Sequence, residues 1–293
     1  MIAIFAQQIV LGLLLGALYG LATVGLALVF GVMKVLNVSH GELIMFGGYA
    51  SFWLLSLYGV DPYLSIFLSM LILFLMGVGL QKGLFVHVTK LGEAVRIKNS
   101  LLIGFGLGLI MHNLAILFWT ADERSITPAY AGLGTSIFGV VLPLTRVGGL
   151  FVAVLAIAIL HYFLNRTYLG KSIRATAEDW ESATLMGIDI QKTYLVSFAL
   201  GCALAGVAGT LVGVGYYISP AIGLEWTLKS LIVIVLAGLG SISGIFLGGL
   251  LLGVAEALGG FFIGMIYRDL VALILFFSVL LFKPEGLFAR RMR

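Results

Sequence analysis

Long apolar runs, each close to the length that crosses a membrane, constrain this chain more than any other feature. The hydrocarbon core of a bilayer is about 30 Å thick, so a spanning helix needs about 20 apolar residues. The sequence has nine such runs, at 8–32, 41–58, 63–81, 100–119, 147–165, 194–217, 227–239, 244–262 and 266–282. Hydrophobic residues make up 61% of the chain and charged residues 10%, so a soluble fold could not cover this surface. We therefore predict an all-α fold, a polytopic transmembrane helix bundle with about 8–10 spans.

The seventh run is the shortest, with 13 residues, and the sequence "GLGSISG" separates it from the eighth. These two runs are either full spans or a broken pair of half-helices that line a cavity. The apolar runs follow one another along the whole chain, so residues 1–293 are expected to form a single transmembrane domain.

The distribution of Lys and Arg predicts the orientation, because these residues are enriched in cytoplasmic loops. If the polar loop 166–193 is cytoplasmic and nine spans alternate, 13 basic residues lie inside and 4 outside. The four outside are Arg124, Arg146, Lys229 and Arg268. We therefore expect an external N-terminus and a cytoplasmic tail at 283–293. The longest external segment, 120–146, either covers a pore mouth or simply connects two helices.

Glycine is unusually frequent, with 39 in the chain, and many glycines recur every four residues within the apolar runs. The repeats are Gly12, Gly16 and Gly20; Ala205, Gly209 and Gly213; Gly244 and Gly248; and Gly249 and Gly253. Small residues at this spacing let helix backbones approach closely in lipid. The pattern predicts tight helix packing without indicating a function.

Charged residues inside a bilayer are costly, so each one within a predicted span needs an explanation. In "NVSHGEL", residues 37–43, Ser39 and Glu42 have the spacing of a helix capping box. The alternative is that Asn37, His40 and Glu42 belong to a translocation pathway or gate.

Three further polar residues lie within predicted spans. His112 and Asn113 either form an interhelical hydrogen bond or line the pathway. Glu256 either reaches toward the membrane surface or lines the pathway.

No arrangement of residues predicts catalysis. The sequence lacks HExxH, GxSxG and nucleotide-binding glycine loops, and its polar residues do not cluster as a catalytic set would. The single cysteine, Cys202, excludes a disulfide and a cysteine-based metal site, and we expect no metal and no cofactor on this chain. The net charge of +4 comes from dispersed basic residues, so nucleic acid is not an expected partner.

The segment Leu169–Thr193 contrasts with the rest of the chain, because it carries seven charges in 25 residues. Ile173, Ala177, Trp180 and Thr184 recur at helical spacing, and Gly187 follows as a C-terminal cap. One amphipathic helix is therefore predicted outside the membrane. It either lies on the membrane surface or docks a partner such as an ATPase, and its acidic residues favour docking because the cytoplasmic leaflet is anionic.

The pattern "RATAEDWESATLMGI", residues 174–188, resembles the cytoplasmic coupling segment of permease subunits from branched-chain amino-acid ABC importers. Three other stretches also resemble this family: "LYGLATVGLALVFGVMKVLNVSHGELIMFGGY", "VLAGLGSISGIFLGGLLLGVAEAL" and the ending "KPEGLF". The chain is most similar to the shorter H-type subunit, since the M-type subunit carries extra N-terminal helices.

The resemblance implies a permease domain in a bacterial inner membrane, paired with an M-type permease. It also implies two cytoplasmic ATPase subunits, which use the ATP, and a periplasmic substrate-binding protein. It carries over an ATPase-coupling role to Ala177, Asp179, Ala183, Gly187 and Ile188. The pattern begins at Arg174, and a contact role for Trp180 is our inference from the residue itself. The implied mechanism is ATP-driven alternating access.

Several interpretations of the function stay open at this point. The substrate is a branched-chain or related amino acid, with urea, short amides or sugars as alternatives within similar ABC systems. A secondary transporter or channel would work without partners, and a structural or receptor-like protein would tolerate changes in 169–193.

Overall fold

A computed structural model of the chain describes residues 2–137, 139–238 and 241–288, and most of them are helical. The α-helices are α1 Ile2–Met33, α2 His40–Tyr58, α3 Pro62–Leu80, α4 Val86–Val88, α5 Glu93–Trp119, α6 Leu144–Arg166, α7 Tyr168–Glu178, α8 Trp180–Leu185, α9 Ile190–Gly215, α10 Ile222–Ala237, α11 Ile242–Phe262 and α12 Arg268–Phe282. A π-helical turn, Gln81–Phe85, joins α3 to α4, and a 3-10 turn, Met265–Tyr267, precedes α12. The part of the predicted tail at 289–293 lies outside the described residues.

Seven helical stretches among the described residues are long and apolar enough to cross a membrane. They contain α1, α3 with its extension to Val88, α5, α6, α9, α11 and α12. The other two predicted runs are also helical, as α2 with 19 residues and α10 with 16. The prediction of an all-α polytopic bundle is therefore confirmed.

The predicted external segment 120–146 contains one feature that the sequence analysis did not anticipate. Strands β1, Gly134–Ile137, and β2, Val140–Pro143, form an antiparallel hairpin. The Gln7 side chain fastens the hairpin to α1, because its amide donates to the Val141 carbonyl at 2.8 Å and accepts from the Val141 N–H at 2.6 Å.

Helices α1 and α9 form the centre of the bundle and are mostly buried, whereas α3, α5, α6 and α12 lie at the perimeter. The perimeter helices expose large apolar side chains, among them Phe67, Leu102, Phe151 and Phe277. This distribution gives the bundle the apolar outer surface that lipid or a membrane-embedded partner requires.

The predicted glycine face of α1 packs directly on α11. A Cβ atom on Gly12 would lie 2.8 Å from the Val254 Cα, and one on Gly16 would lie 2.7 Å from the Gly249 carbonyl oxygen. Since real Cβ atoms do not approach other atoms so closely, only glycine permits this backbone contact.

The chain between α1 and α2 runs back into the bundle instead of turning at its end. His40, the first residue of α2, lies beside Ala22 and Gly25, although α1 continues to Met33. At 1.5 Å per residue, α2 begins about 12 Å back along α1 from the end of that helix. Residues 34–39 are therefore non-helical chain inside the bundle. Non-helical backbone could not face lipid, because its polar groups would have no hydrogen-bond partner there.

For the seventh and eighth apolar runs the sequence predicts either two full spans or a broken pair of half-helices. We considered a broken pair at "GLGSISG", where α10 ends at Ala237 and α11 begins at Ile242. Helix α11 has 21 residues and satisfies the length of a full span, while α10 is about 24 Å long. Residues 239 and 240 lie outside the described residues.

The glycine contact between α1 and α11 predicts the effect of one added methyl group. We expect Gly16→Ala to lower the free energy of unfolding by about 1–3 kcal/mol, because the methyl group overpacks the interface. The measurement is reversible unfolding of the full-length chain in mixed detergent micelles. Gly31→Ala is the matched control in the same helix, since no atom lies within 4 Å of its Cβ position. Equal stability of the two variants would contradict the proposed close packing.

Candidate functional site

The segment that resembles a coupling motif forms two helices rather than the one predicted. Helix α7 ends at Glu178, and Asp179 is extended, with φ −153° and ψ 104°. Its carboxylate then accepts hydrogen bonds from the Glu181 N–H at 3.0 Å and from the Ser182 N–H at 3.2 Å. Asp179 thus caps the N-terminus of α8, and the capping side chain explains why the helix restarts here.

The predicted C-terminal cap at Gly187 is confirmed. Gly187 has φ +81°, a conformation that favours glycine. Its N–H donates to the Thr184 carbonyl at 3.0 Å, and the Ile188 N–H donates to the Ala183 carbonyl at 3.1 Å. This pair of bonds is a Schellman motif, so α8 is held at both ends.

The candidate coupling residues differ in exposure. Arg174, Asp179, Trp180 and Gly187 are exposed, Ala177 and Ile188 are half-buried, and Ala183 is buried. Ala183 therefore cannot itself offer a contact surface in this conformation.

Two of the most exposed apolar side chains of this region are not among the candidate residues predicted from the sequence. Leu185 is 87% exposed and Met186 is 83% exposed at the C-terminal end of α8, while Trp180 at its start is 45% exposed. We call Leu185 and Met186 the α8 apolar patch. Such exposure on a capped polar helix marks a surface that a partner can cover.

The polar residues of "NVSHGEL" form a central cluster at the start of α2. The predicted capping box is wrong, because the Ser39 side chain makes no capping bond and instead donates to the Asn37 side-chain oxygen at 2.6 Å. That oxygen also accepts from the Ser39 N–H at 3.2 Å. His40 contacts the Ala22 carbonyl through Nε2 at 3.0 Å.

Glu42 faces α10 and not its own helix terminus. A Cβ atom on Gly223 would overlap the Glu42 carboxyl group, so only glycine leaves room for it. The Glu42 side chain is almost fully buried, and its Oε2 has no hydrogen-bond partner among the described residues. A buried carboxyl oxygen without a partner is costly, so Glu42 needs an explanation that the packing of α2 does not give.

Thr227 joins this cluster from α10. Its hydroxyl accepts from the Gly41 N–H at 2.9 Å and lies 3.0 Å from the Val38 and Gly223 carbonyl oxygens. The sequence offered no signal for Thr227, because 186 residues separate it from Gly41.

His112 and Asn113 do not join the central cluster. The His112 Nδ1 lies 3.1 Å from the Pro220 carbonyl in the connection between α9 and α10. Asn113 is exposed, and its amide donates to the Leu109 carbonyl of the same helix at 2.7 Å.

Glu256 lies in a second cluster that joins α1, α10, α11 and α12. Its carboxylate accepts from the Lys229 Nζ at 2.5 Å, from the Arg268 Nε at 2.9 Å and from the Tyr19 hydroxyl at 2.9 Å. Lys229 also pairs with Asp269 at 2.6 Å. The sequence predicts Lys229 on the external side, but its side chain is buried where α10 meets α11 and α12.

The two acids of this cluster give a matched test of burial. The Glu256 side chain is fully buried and that of Asp269 is 75% exposed, although both bind Lys229. We expect Glu256→Gln to lower the free energy of unfolding by about 3–5 kcal/mol, because it removes the fully buried negative charge that neutralises Lys229 and Arg268. Asp269→Asn should cost less than about 1 kcal/mol. The measurement is reversible unfolding in mixed micelles, and equal effects would contradict the burial argument.

The cap at Asp179 predicts a pH dependence. Hydrogen bonds from the Ser182 side chain, and from the Ser182 and Glu181 backbone, lower the pKa of Asp179 below its usual value. A lowered pKa means that the ionised form stabilises α8, so this contribution is lost as the pH falls through the lowered pKa. We expect amide exchange at residues 181–186 to accelerate in that acidic range, after correction for intrinsic rates.

The control for this titration is Asp179→Asn, which keeps a capping oxygen without an ionisable group. In this variant the exchange of residues 181–186 should not change with pH beyond the intrinsic rates. The same acid-induced acceleration in both proteins would show that another group is responsible.

Comparison with known proteins identifies the family. A family model described as "Branched-chain amino acid transport system / permease component" matches residues 8–280. The high-affinity branched-chain amino acid transport system permease protein BraD of Pseudomonas aeruginosa is 35% identical, over 98% of this chain and 96% of that protein. The LivH permease protein of the same description in Escherichia coli K12 is 30% identical, over 98% and 96%.

A third relative has a longer chain. The LivM permease protein of Salmonella typhimurium, described in the same terms, is 27% identical, over 92% of this chain and 67% of that protein. With the family model covering most of its length, this chain belongs to the permease components of branched-chain amino acid transport systems.

Proposed function

We propose that this chain is a membrane subunit of an ABC importer that moves branched-chain amino acids by ATP-driven alternating access. The observation that carries the proposal is the α8 apolar patch, Leu185 and Met186, which lies at the end of a helix capped at both ends. A rigid exposed helix of this kind can transmit the movement of an ATPase that grips it.

The partners follow from the same proposal. An M-type permease would complete the membrane unit, and the similarity to LivM supports two related permeases. Two ATPase subunits would use the ATP, one bound to the α8 patch of this chain and the other to the matching helix of the M-type permease, so this chain needs no cofactor. A periplasmic binding protein would deliver the substrate on the opposite side.

The proposal places the chain in a bacterial inner membrane, with α7 and α8 in the cytoplasm and the N-terminus outside. Support comes from the excess of basic residues on the α7–α8 side, 13 against 4, counted along the sequence. The hairpin β1–β2 would then face the periplasm, where the binding protein docks.

We place the gate at the central cluster, where α2 and the first turns of α10 meet. Asn37, His40 and Glu42 lie within six residues of each other there, His40 against α1 and Glu42 against α10, and Glu42 has an unpartnered oxygen. Helix N-termini next to non-helical chain supply directed N–H groups, which suit a zwitterionic substrate. His112 and Asn113 are proposed to line the pathway outside this gate, and Glu256 to hold α10 in place through its ion pairs.

The coupling role is tested by making the α8 patch acidic. We expect Leu185→Glu with Met186→Glu to abolish ATP-dependent uptake of labelled leucine in cells, with a loss of at least about tenfold. The two side chains are exposed, so the chain should still reach the membrane, while the partner ATPases should no longer co-purify with it.

The matched control exchanges the same two residues, Leu185→Met with Met186→Leu, and keeps the patch apolar. It should retain uptake and bound ATPase. Uptake that survives the acidic change with ATPases attached would refute the coupling role. Uptake of labelled urea in place of leucine would keep the role and change the substrate.

A further inference from the structure

A groove lies beside α7, and apart from Arg174 and Ala177 its lining residues have no role in the function proposed above. It consists of two adjoining cavities, of about 360 and about 1000 Å³. Both are lined by His161 and Asn165 of α6 and by Ile242 and Ser243 of α11. The groove therefore runs between α6 and α11 and opens at the α7–α8 end of the bundle.

In the described part of the chain, every charged side chain that lines the groove is basic. Arg166 and Lys171 line the larger cavity, and Arg174 lines the smaller one. Among the described residues no acidic side chain lines either cavity, and none forms an ion pair with these three cations. The His161, Asn165 and Ser243 side chains add neutral hydrogen-bonding groups next to the cations.

The deeper part of the groove is apolar. Below the cations, Val154, Ile157 and Ala158 of α6 face Phe246 of α11. From Arg166 back to Val154 the helix rises about 18 Å, which is close to the ~15 Å hydrocarbon depth of one leaflet. A ligand that fills the groove must then combine an anionic head with a chain of that length.

We propose that this groove binds an anionic phospholipid from the leaflet on the α7–α8 side. Arg166 and Lys171 would hold the phosphate, with Arg174 next to it, because guanidinium and ammonium groups are the preferred phosphate donors. The acyl chain would lie along Val154, Ala158 and Phe246. Basic pockets between transmembrane helices are suited to such headgroups, whereas a soluble phosphate would leave the apolar part of the groove empty.

The test counts the lipids that the protein retains. The chain is purified together with its co-expressed partner subunits in a mild detergent with equimolar phosphatidylcholine and phosphatidylglycerol, and the bound lipids and subunits are counted by native mass spectrometry. We expect the wild type to prefer phosphatidylglycerol. Arg166→Gln with Lys171→Gln should reduce this preference about 30-fold, which corresponds to ~1 kcal/mol for each basic side chain removed.

The matched control is Lys82→Gln with Lys98→Gln. These two lysines are also exposed basic residues in the sequence regions predicted to be cytoplasmic, and they do not line the groove. The control removes the same charge and should retain the wild-type preference. An equal loss in the control would show that general surface charge attracts the lipid, and would overturn the proposal.

A second variant tests the apolar part without changing the charge. Ala158→Trp should fill the groove and reduce lipid retention, whereas Ile159→Trp, on an exposed neighbouring position, should not. Unchanged retention in both groove variants would overturn the proposal. Loss of a partner subunit from the Arg166 and Lys171 variant, with lipid retained, would also overturn it and assign the groove to that partner. Lipid counting does not require transport, so failure here is distinct from failure of the proposed function.

Discussion

The arrangement at the centre of this bundle depends on one requirement, that the non-helical backbone of residues 34–39 must find hydrogen-bond partners within the protein. No water is available in the hydrocarbon region to satisfy it. The Leu36 N–H donates to the Ser100 hydroxyl at 3.0 Å, and the Asn37 side-chain oxygen accepts a hydrogen bond from the Ser39 N–H. At the end of α1, the Arg96 guanidinium donates to the Met33 carbonyl at 3.1 Å. Side chains from distant parts of the sequence are thus committed to this short segment.

Close backbone contact is the second condition for that arrangement. The start of α2 fits against α10 only because Gly41 and Gly223 lack side chains, since a Cβ atom on either would overlap the opposite helix. Farther along α2, Gly47 packs on Gly206 of α9, 2.7 Å from its Cα when a Cβ atom is added. Dispersion contact in lipid is short-ranged, so these glycines fix the depth at which α2 begins. Substitution there would move the central cluster as a whole.

The helices and the glycine faces could be predicted from the sequence, because both depend on a local period. The tertiary pairings could not. Ser39 and Glu42 have the spacing of a capping box, yet Asn37 competes locally for the Ser39 N–H and Glu42 turns toward Gly223 of a remote helix. The break at Asp179 did leave a local signal, since aspartate is a preferred N-cap residue, and the amphipathic period concealed it.

The ion pairs of Glu256 also could not be predicted from the sequence. Lys229, Glu256 and Asp269 belong to three helices, and no periodic pattern relates them. Positive residues near span ends are usually assigned to loops, so Lys229 was assigned to the external side. A buried lysine is tolerated only where acids neutralise it, and that information exists only after the helices have packed.

Helix α10 contributes residues to both polar clusters, and its contacts differ between them. Toward α2 it presents Gly223 and Thr227, whose contacts with Glu42 and Gly41 leave one carboxyl oxygen unpartnered. Toward α11 and α12 it presents Lys229, which is fully paired. Separating Lys229 from its acids would expose unpaired charge to a low-dielectric interior, whereas loosening Glu42 breaks no hydrogen bond of its Oε2. Separating α10 from α2 would break the neutral hydrogen bonds of Thr227 with Gly41 and Val38 but no ion pair, so a rearrangement at the centre costs less if α10 stays with α11 and α12 and opens against α2.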